Sequence, residues 1–165
     1  MTLQVTRPDA TTLVVTRFFA ASPARVWAAH MEPALIRQWM IGEGGTTMPV
    51  CENDPRVGGQ LNFEWREPDG SGFSVRGTYE LVEPHRRTIH VETMFLPDPM
   101  PQNRIETRFD AEKSGTRLTL TMTLPDAASA DALSTSGIAD GMAGCYAILE
   151  GLLSPTLQKA PISKR

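Results

Sequence analysis

The sequence predicts an α+β domain: one curved antiparallel sheet, covered on a single face by a helix near the carboxy terminus. Three observations carry that prediction. Most of the chain between Thr46 and Leu124 is a run of segments with apolar residues at every second position, and several of the turns between them are too short for a crossover. Two short helical segments follow the first strand. From Asp126 to Leu153 the period becomes helical, with one apolar stripe at Ile138, Met142, Cys145, Leu149 and Leu152, widened by Tyr146 and Leu153.

In chain order, Met1 to Ala10 lacks periodicity and includes Pro8, so a loose arm is expected there. Thr11 to Ala20 is rich in β-branched and aromatic residues and reads as the first strand. Ser22 followed by Pro23 starts a helix for a physical reason. The hydroxyl accepts an orphan N–H, and Pro lacks the donor that would go unpaired at the first helical position. That helix runs to His30; Glu32-Pro33 opens a second, to about Trp39, before Gly42, Gly44 and Gly45 break the pattern.

A strand over Thr46 to Glu52 leads into the Asp54-Pro55 and Gly58-Gly59 turn. Leu61, Phe63 and Trp65 then alternate with Asn62, Glu64 and Arg66, which gives one buried and one wet face. Pro68-Asp69-Gly70 forms a hairpin turn to Phe73, Val75, Gly77, Tyr79 and Leu81, all expected on the inner face. Arg87 to Leu96 is the next strand, with Ile89 and Val91 inward. The three prolines of Leu96 to Gln102 exclude a ladder and mark an exposed connection. Arg104 to Ala111 and Thr116 to Leu124 complete the sheet across Lys113-Ser114-Gly115, and Pro125-Asp126 hands over to the helix.

Read as one rod of roughly 27 residues, that helix is about 40 Å long. Its outer stripe, Ser136, Asp140, Ala143, Ala147, Glu150 and Ser154, is small or polar, so it lies on something rather than passing through a core. Gly137, Gly141, Gly144 and Gly151 line one flank although each costs about 1 kcal/mol against Ala. They leave either a close backbone neighbour or open space. A straight helix across a curved sheet leaves a gap, and the expectation is a cavity between the two. Pro155 ends the helix and a polar tail follows to Arg165, so the domain is expected over residues 11–154.

Composition bounds the function. A chain of 165 residues is long enough for one core; 41% apolar and 21% charged residues are ordinary for a soluble domain. A net charge of −3 argues against nucleic acid as a partner. No stretch is long enough to cross a bilayer, which gives an expectation of a cytoplasmic protein without a membrane partner. Cys51 and Cys145 have no CxxC spacing and are expected as free thiols. His30, His85 and His90 form no ligand or triad pattern and are expected at the surface; no metal and no cofactor is expected. Glu64 and Glu80 are expected to pair with cross-strand arginines such as Arg66 and Arg76. The glycine clusters have no strand-to-helix context and no P-loop Lys, so they are turns.

Facing the space between sheet and helix should be Phe63, Trp65, Val75, Tyr79, Val91, Phe109, Met142, Cys145, Tyr146 and Leu149, with Trp39 at its mouth. Few polar groups are expected among them. Such a space suits an apolar pocket in which Tyr79 or Tyr146 orients a guest.

Five stretches carry a family resemblance: RFFAASPARVWAAHMEPALIRQWM (Arg17 to Met40), DPRVGG (Asp54 to Gly59), PDGSGFSVRGTYELVEP (Pro68 to Pro84), GTRLTL (Gly115 to Leu120) and GIADGMAGCYAILEGLL (Gly137 to Leu153). In this order they resemble bacterial proteins related to the activator of the heat-shock-protein-90 ATPase, a branch of the START-like or SRPBCC superfamily. The resemblance implies a helix-grip fold, a sheet wrapped around the C-terminal helix, and a small hydrophobic molecule as partner. It leaves open a cyclase, aromatase or hydrolase type of enzyme, a chaperone partner and a homodimer. Gly141-Met142 stands where the family often has Gly-Trp, and Ile41-Gly42 where it often has Gly-Pro. A thioether in place of an indole removes a rigid wall and an N–H donor, which implies a larger and less polar cavity.

Overall fold

The computed structural model describes residues 2–154, and the expected tail after Ser154 lies outside them. Eight strands form one antiparallel sheet: β1 (Gln4–Asp9), β2 (Thr12–Phe19), β3 (Thr47–Asn53), β4 (Gln60–Arg66), β5 (Gly72–Glu83), β6 (Arg87–Phe95), β7 (Asn103–Glu112) and β8 (Gly115–Thr123). Their spatial order is β1-β2-β8-β7-β6-β5-β4-β3. Between β2 and β3, which lie far apart in the sheet, run α1 (Pro23–Met31) and α2 (Pro33–Trp39). Ser22 caps α1 by accepting from the Arg25 N–H at 3.3 Å, and Glu32 ends α1 and begins α2 in one extended residue.

Residues 4–9 correct the expected loose arm, because they pair with β2 as an edge strand. All six residues of β1 are exposed, so it buries nothing that a periodicity could reveal. Backbone hydrogen bonds hold it, and Arg7 ties it to Asp131 on the first C-terminal helix.

The single rod is also corrected. Gly137 takes φ 82° and divides the segment into α3 (Ala127–Thr135) and α4 (Ile138–Leu153). Just before it, the hydroxyls of Ser134, Thr135 and Ser136 donate back to the Ala130, Asp131 and Leu133 carbonyls, and Gly137 then accepts the left-handed conformation that other residues resist. α4 is about 24 Å long rather than about 40 Å. Within it, Tyr146, Leu149 and Leu153 are buried, whereas Leu152 is 38% exposed. The buried stripe is therefore turned by about one residue from the expected one.

A third correction concerns strand faces. The pairing of β5 with β6 shifts between Tyr79 and Leu81, while Tyr79 exchanges backbone hydrogen bonds with Gly58 and Gly59. This irregularity inserts a residue, so Val82 rather than Leu81 follows Tyr79 onto the concave side and packs against the main core. On β6 the inward residues are Thr88, His90, Glu92 and Met94. Val91 lies opposite Thr78 on the outer, convex face.

The concave core is divided. A larger cluster gathers α1, α2 and the C-terminal half of α4 around Phe19, Trp27, Ile36, Trp39, Phe63 and Tyr146. A smaller one gathers Leu13, Val15, Ile105, Met122 and Leu124 under Ala130 of α3. Leu3, Leu120 and Met142, only partly buried, touch both.

A candidate ligand site between sheet and helix

The strand that lies between those two clusters is β6. His90 is paired with Tyr79 of the larger cluster on one side and with Ile105 of the smaller on the other. Its inward side chains are not sealed: His90 keeps 14% of its side-chain surface and Glu92 16%, and Met94 and Asn103 are half-buried. Toward the helices the backbone of α4 lies close to α2, α3 and α1, and toward the sheet α4 packs through side chains, with Tyr146, Leu149 and Leu153 in the larger cluster and Met142 against both.

Large side chains make that contact at the C-terminal half of α4. Tyr146 stacks on Trp39 at 5.4 Å and meets Phe19 edge-on at 5.6 Å. Arg17, whose side chain is 5% exposed, reaches from β2 to Glu150 at 2.7 Å. In the N-terminal half the contact is smaller: Met142, half-buried, touches both clusters. A Cβ at Gly141 or Gly144 would meet no atom within 4 Å; Gly141 is exposed and Gly144 half-buried, so the glycine flank has no close neighbour. The floor at Gly77 on β5 is close-packed: an added Cβ would lie 2.5 Å from the Val91 carbonyl oxygen and within 3.3 Å of Glu92 and Leu61, so glycine is needed there for close approach.

The expected pocket residues separate into groups. Phe63, Val75, Phe109, Tyr146 and Leu149 are core, each at most 8% exposed. Trp39 is not at a mouth; it is buried, with its Nε1 donating to the Ala29 carbonyl at 2.9 Å. Trp65 lies flat on Phe73 at 4.6 Å and donates to the Met40 carbonyl at 2.7 Å. The Tyr79 hydroxyl is committed to Asn53 Oδ1 at 2.7 Å, and burial pushes its pKa up to about 12. Met142 and Cys145 remain partly open beneath α4. Burial raises the Cys145 thiol, which keeps it protonated and a poor nucleophile. Val91 is excluded by its face: it lines a cleft of about 400 Å³ with Glu52, Arg76 and Thr78 on the convex side. A second cleft, of about 520 Å³, lies at the β5–β6 turn among His85, Arg86, Arg87 and Arg108, also away from the helix.

The expectation of few inward polar groups is overturned, and so is that of surface histidines for His30 and His90, whereas His85 is exposed as expected. His30 lies among Trp39 at 4.9 Å, Phe109 at 5.4 Å and Tyr146 at 6.0 Å. Its Nδ1 contacts the Val26 carbonyl at 2.7 Å while Nε2 is sealed without a partner, and burial lowers its pKa to about 4. His90 packs edge-on against Tyr79 at 5.7 Å, and its Nε2 faces Glu92 at 3.5 Å. Periodicity could not reveal His90 and Glu92, because the irregularity in β5 that sets the register is invisible in an alternating pattern. On the outer face Glu80 pairs with Arg104 at 3.1 Å rather than with Arg66 or Arg76. Among the described residues, both cysteines are free, and no group of three His, Cys, Asp or Glu could hold a metal ion. No helix there is long and apolar enough to cross a membrane.

A curved antiparallel sheet that closes on a C-terminal helix, with two short helices crossing between, defines a helix-grip protein. The chain belongs to the family described as activator of Hsp90 ATPase homolog 1-like proteins, which matches residues 20–154. The crystal structure of a Rhodobacter sphaeroides protein aligns with a TM-score of 0.87 at 29% identity, over 93% of this chain and 98% of that one. One from Mycobacterium smegmatis gives 0.82 at 21% identity, over 94% and 98%, and one from Nitrosomonas europaea 0.78 at 23%, over 94% and 100%. These last two show the fold alone. No curated protein matches the chain.

Proposed function

We propose that this protein holds a small, mainly hydrophobic molecule, lipid-like or aromatic, between the concave sheet and the N-terminal half of α4. The observation that supports this most is the interrupted core: two packed clusters flank β6, and the residues that join them, Leu3, Leu120 and Met142, are only partly buried. Met142 sits where it touches both clusters, so a larger side chain there fills the space. Native mass spectrometry and thermal shift against small apolar compounds should find a stabilising guest, and Met142→Trp should abolish its binding. A guest that binds Met142→Trp as tightly as the native protein sits elsewhere and refutes the placement.

A second reading, an enzyme of the cyclase, aromatase or hydrolase type, is favoured by the inward His90 and Glu92, which offer a base beside a bound molecule. Mass analysis of a bound guest after prolonged incubation separates the two. A carrier returns it unchanged, whereas an enzyme returns a product whose yield falls in His90→Gln.

A further inference from the structure

We infer that β1 is a strap across this site and that Leu3, at its start, fills part of the space a guest would take, so that guest and strap compete. This rests on the reading above and names how the same space is regulated. Leu3 is the residue before β1, and it packs against both clusters although it is only half-buried. Its direction follows from the register. Val5 pairs with Val15, a buried residue of the smaller cluster, so Val5 and, two residues earlier, Leu3 point to the concave side. Gln4 is opposite Thr16, which brings Leu3 level with Arg17, the inward arginine that Glu150 of α4 holds. Leu3 therefore lies at the seam between the clusters, which Leu120 of β8 and Met142 of α4 join as well.

The rest of β1 holds Leu3 weakly. All six residues of the strand are exposed, and it is paired on one side only because it is the edge of the sheet. Three successive residues pair with β2 before the ladder shifts between Thr6 and Asp9. Beyond the ladder, Arg7 meets Asp131 of α3 in an exposed ion pair, a kind that contributes little in water. Detaching such a strand breaks few apolar contacts besides those of Leu3, so it opens locally while the remaining sheet stays folded. An apolar guest at the seam and the Leu3 side chain exclude each other, because both fill volume between the same two clusters. Each then weakens the other by the same factor. A residue of the pocket wall would act in the opposite sense, since truncating it removes contact with the guest.

The test uses the full chain with octanol as an aliphatic probe and indole as an aromatic one, titrated by calorimetry below their solubility limits. Leu3→Ala should bind the probe about five- to tenfold more tightly than the native chain, as expected when a few methylene groups leave the contested space. Val5→Ala, on the same strand and face but outside both clusters, should leave the affinity unchanged. Hydrogen exchange gives a second readout that needs no variant. The β1 amides bonded to β2 should exchange at least about a hundredfold faster than those between β2 and β8, and bound probe should speed them further while slowing α4. Affinity that falls or holds in Leu3→Ala, an equal gain in Val5→Ala, or β1 amides that a bound probe protects, overturns the inference while leaving a hydrophobic site in place. If neither probe binds the native chain or Leu3→Ala, the inference and the proposed function fail together.

Discussion

Trp39 and Tyr146 lie stacked, with ring centroids 5.4 Å apart and planes 20° from parallel. That contact joins the end of α2 to the middle of α4, while the Trp39 Nε1–H donates to α1 at the Ala29 carbonyl. One side chain therefore ties three helices together and sets how far α4 stands above the sheet. Removing it should be severe. Trp39→Ala leaves a cavity and an orphaned carbonyl, and should cost about 3–5 kcal/mol in urea unfolding. Trp39→Phe keeps much of the stack and should cost less than half of that.

His30 makes stability depend on pH. The unfolded side chain gains its proton near the ordinary 6.5, but the folded one, enclosed by Trp39, Phe109 and Tyr146, does so only near 4. Above pH 6.5 the ring is neutral in both states and nothing is lost. Between 6.5 and 4 the unfolded state alone binds the proton, so stability falls as the pH falls, by up to about 3 kcal/mol. Unfolding curves for the native protein and His30→Phe should diverge across that window. Parallel curves would show that the ring takes its proton equally well in both states.

Two glycines of the terminal segment should respond in opposite directions to the same change. Gly137 holds φ 82°, so Gly137→Ala should destabilise by about 1–2 kcal/mol. Gly141 is inside α4 with nothing within 4 Å of an added methyl, so Gly141→Ala should stabilise by up to about 1 kcal/mol. Thermal melts of the two variants decide it, and a loss at Gly141 would mean that the open flank is filled.

Deleting residues 2–9 removes β1 and leaves the edge of β2 without its partner. β1 itself buries little, but the deletion also takes Leu3, which packs against both clusters, so the cost in stability should be about 2–3 kcal/mol. The larger effect should be association, since bare N–H and C=O groups along β2 invite a second copy to pair. Light scattering on the truncated chain should show concentration-dependent growth that the native chain lacks.

The sequence by itself determined which segments become strands and helices wherever a half-buried face imposes a period. Leu61, Phe63 and Trp65 alternate because β4 has one covered side, and Ser22-Pro23 starts α1 because capping chemistry is local. The family likeness over the same stretches follows from that pattern. Only the tertiary structure decided what local patterns do not encode. β1 carries no burial, so no period announced it, and Gly137 could equally have continued a helix or broken it until α3 found its seat over β2. The site depended most on such decisions. A one-residue irregularity after Tyr79 turned Val91 outward and His90 and Glu92 inward, because side chains on a strand change face at every residue.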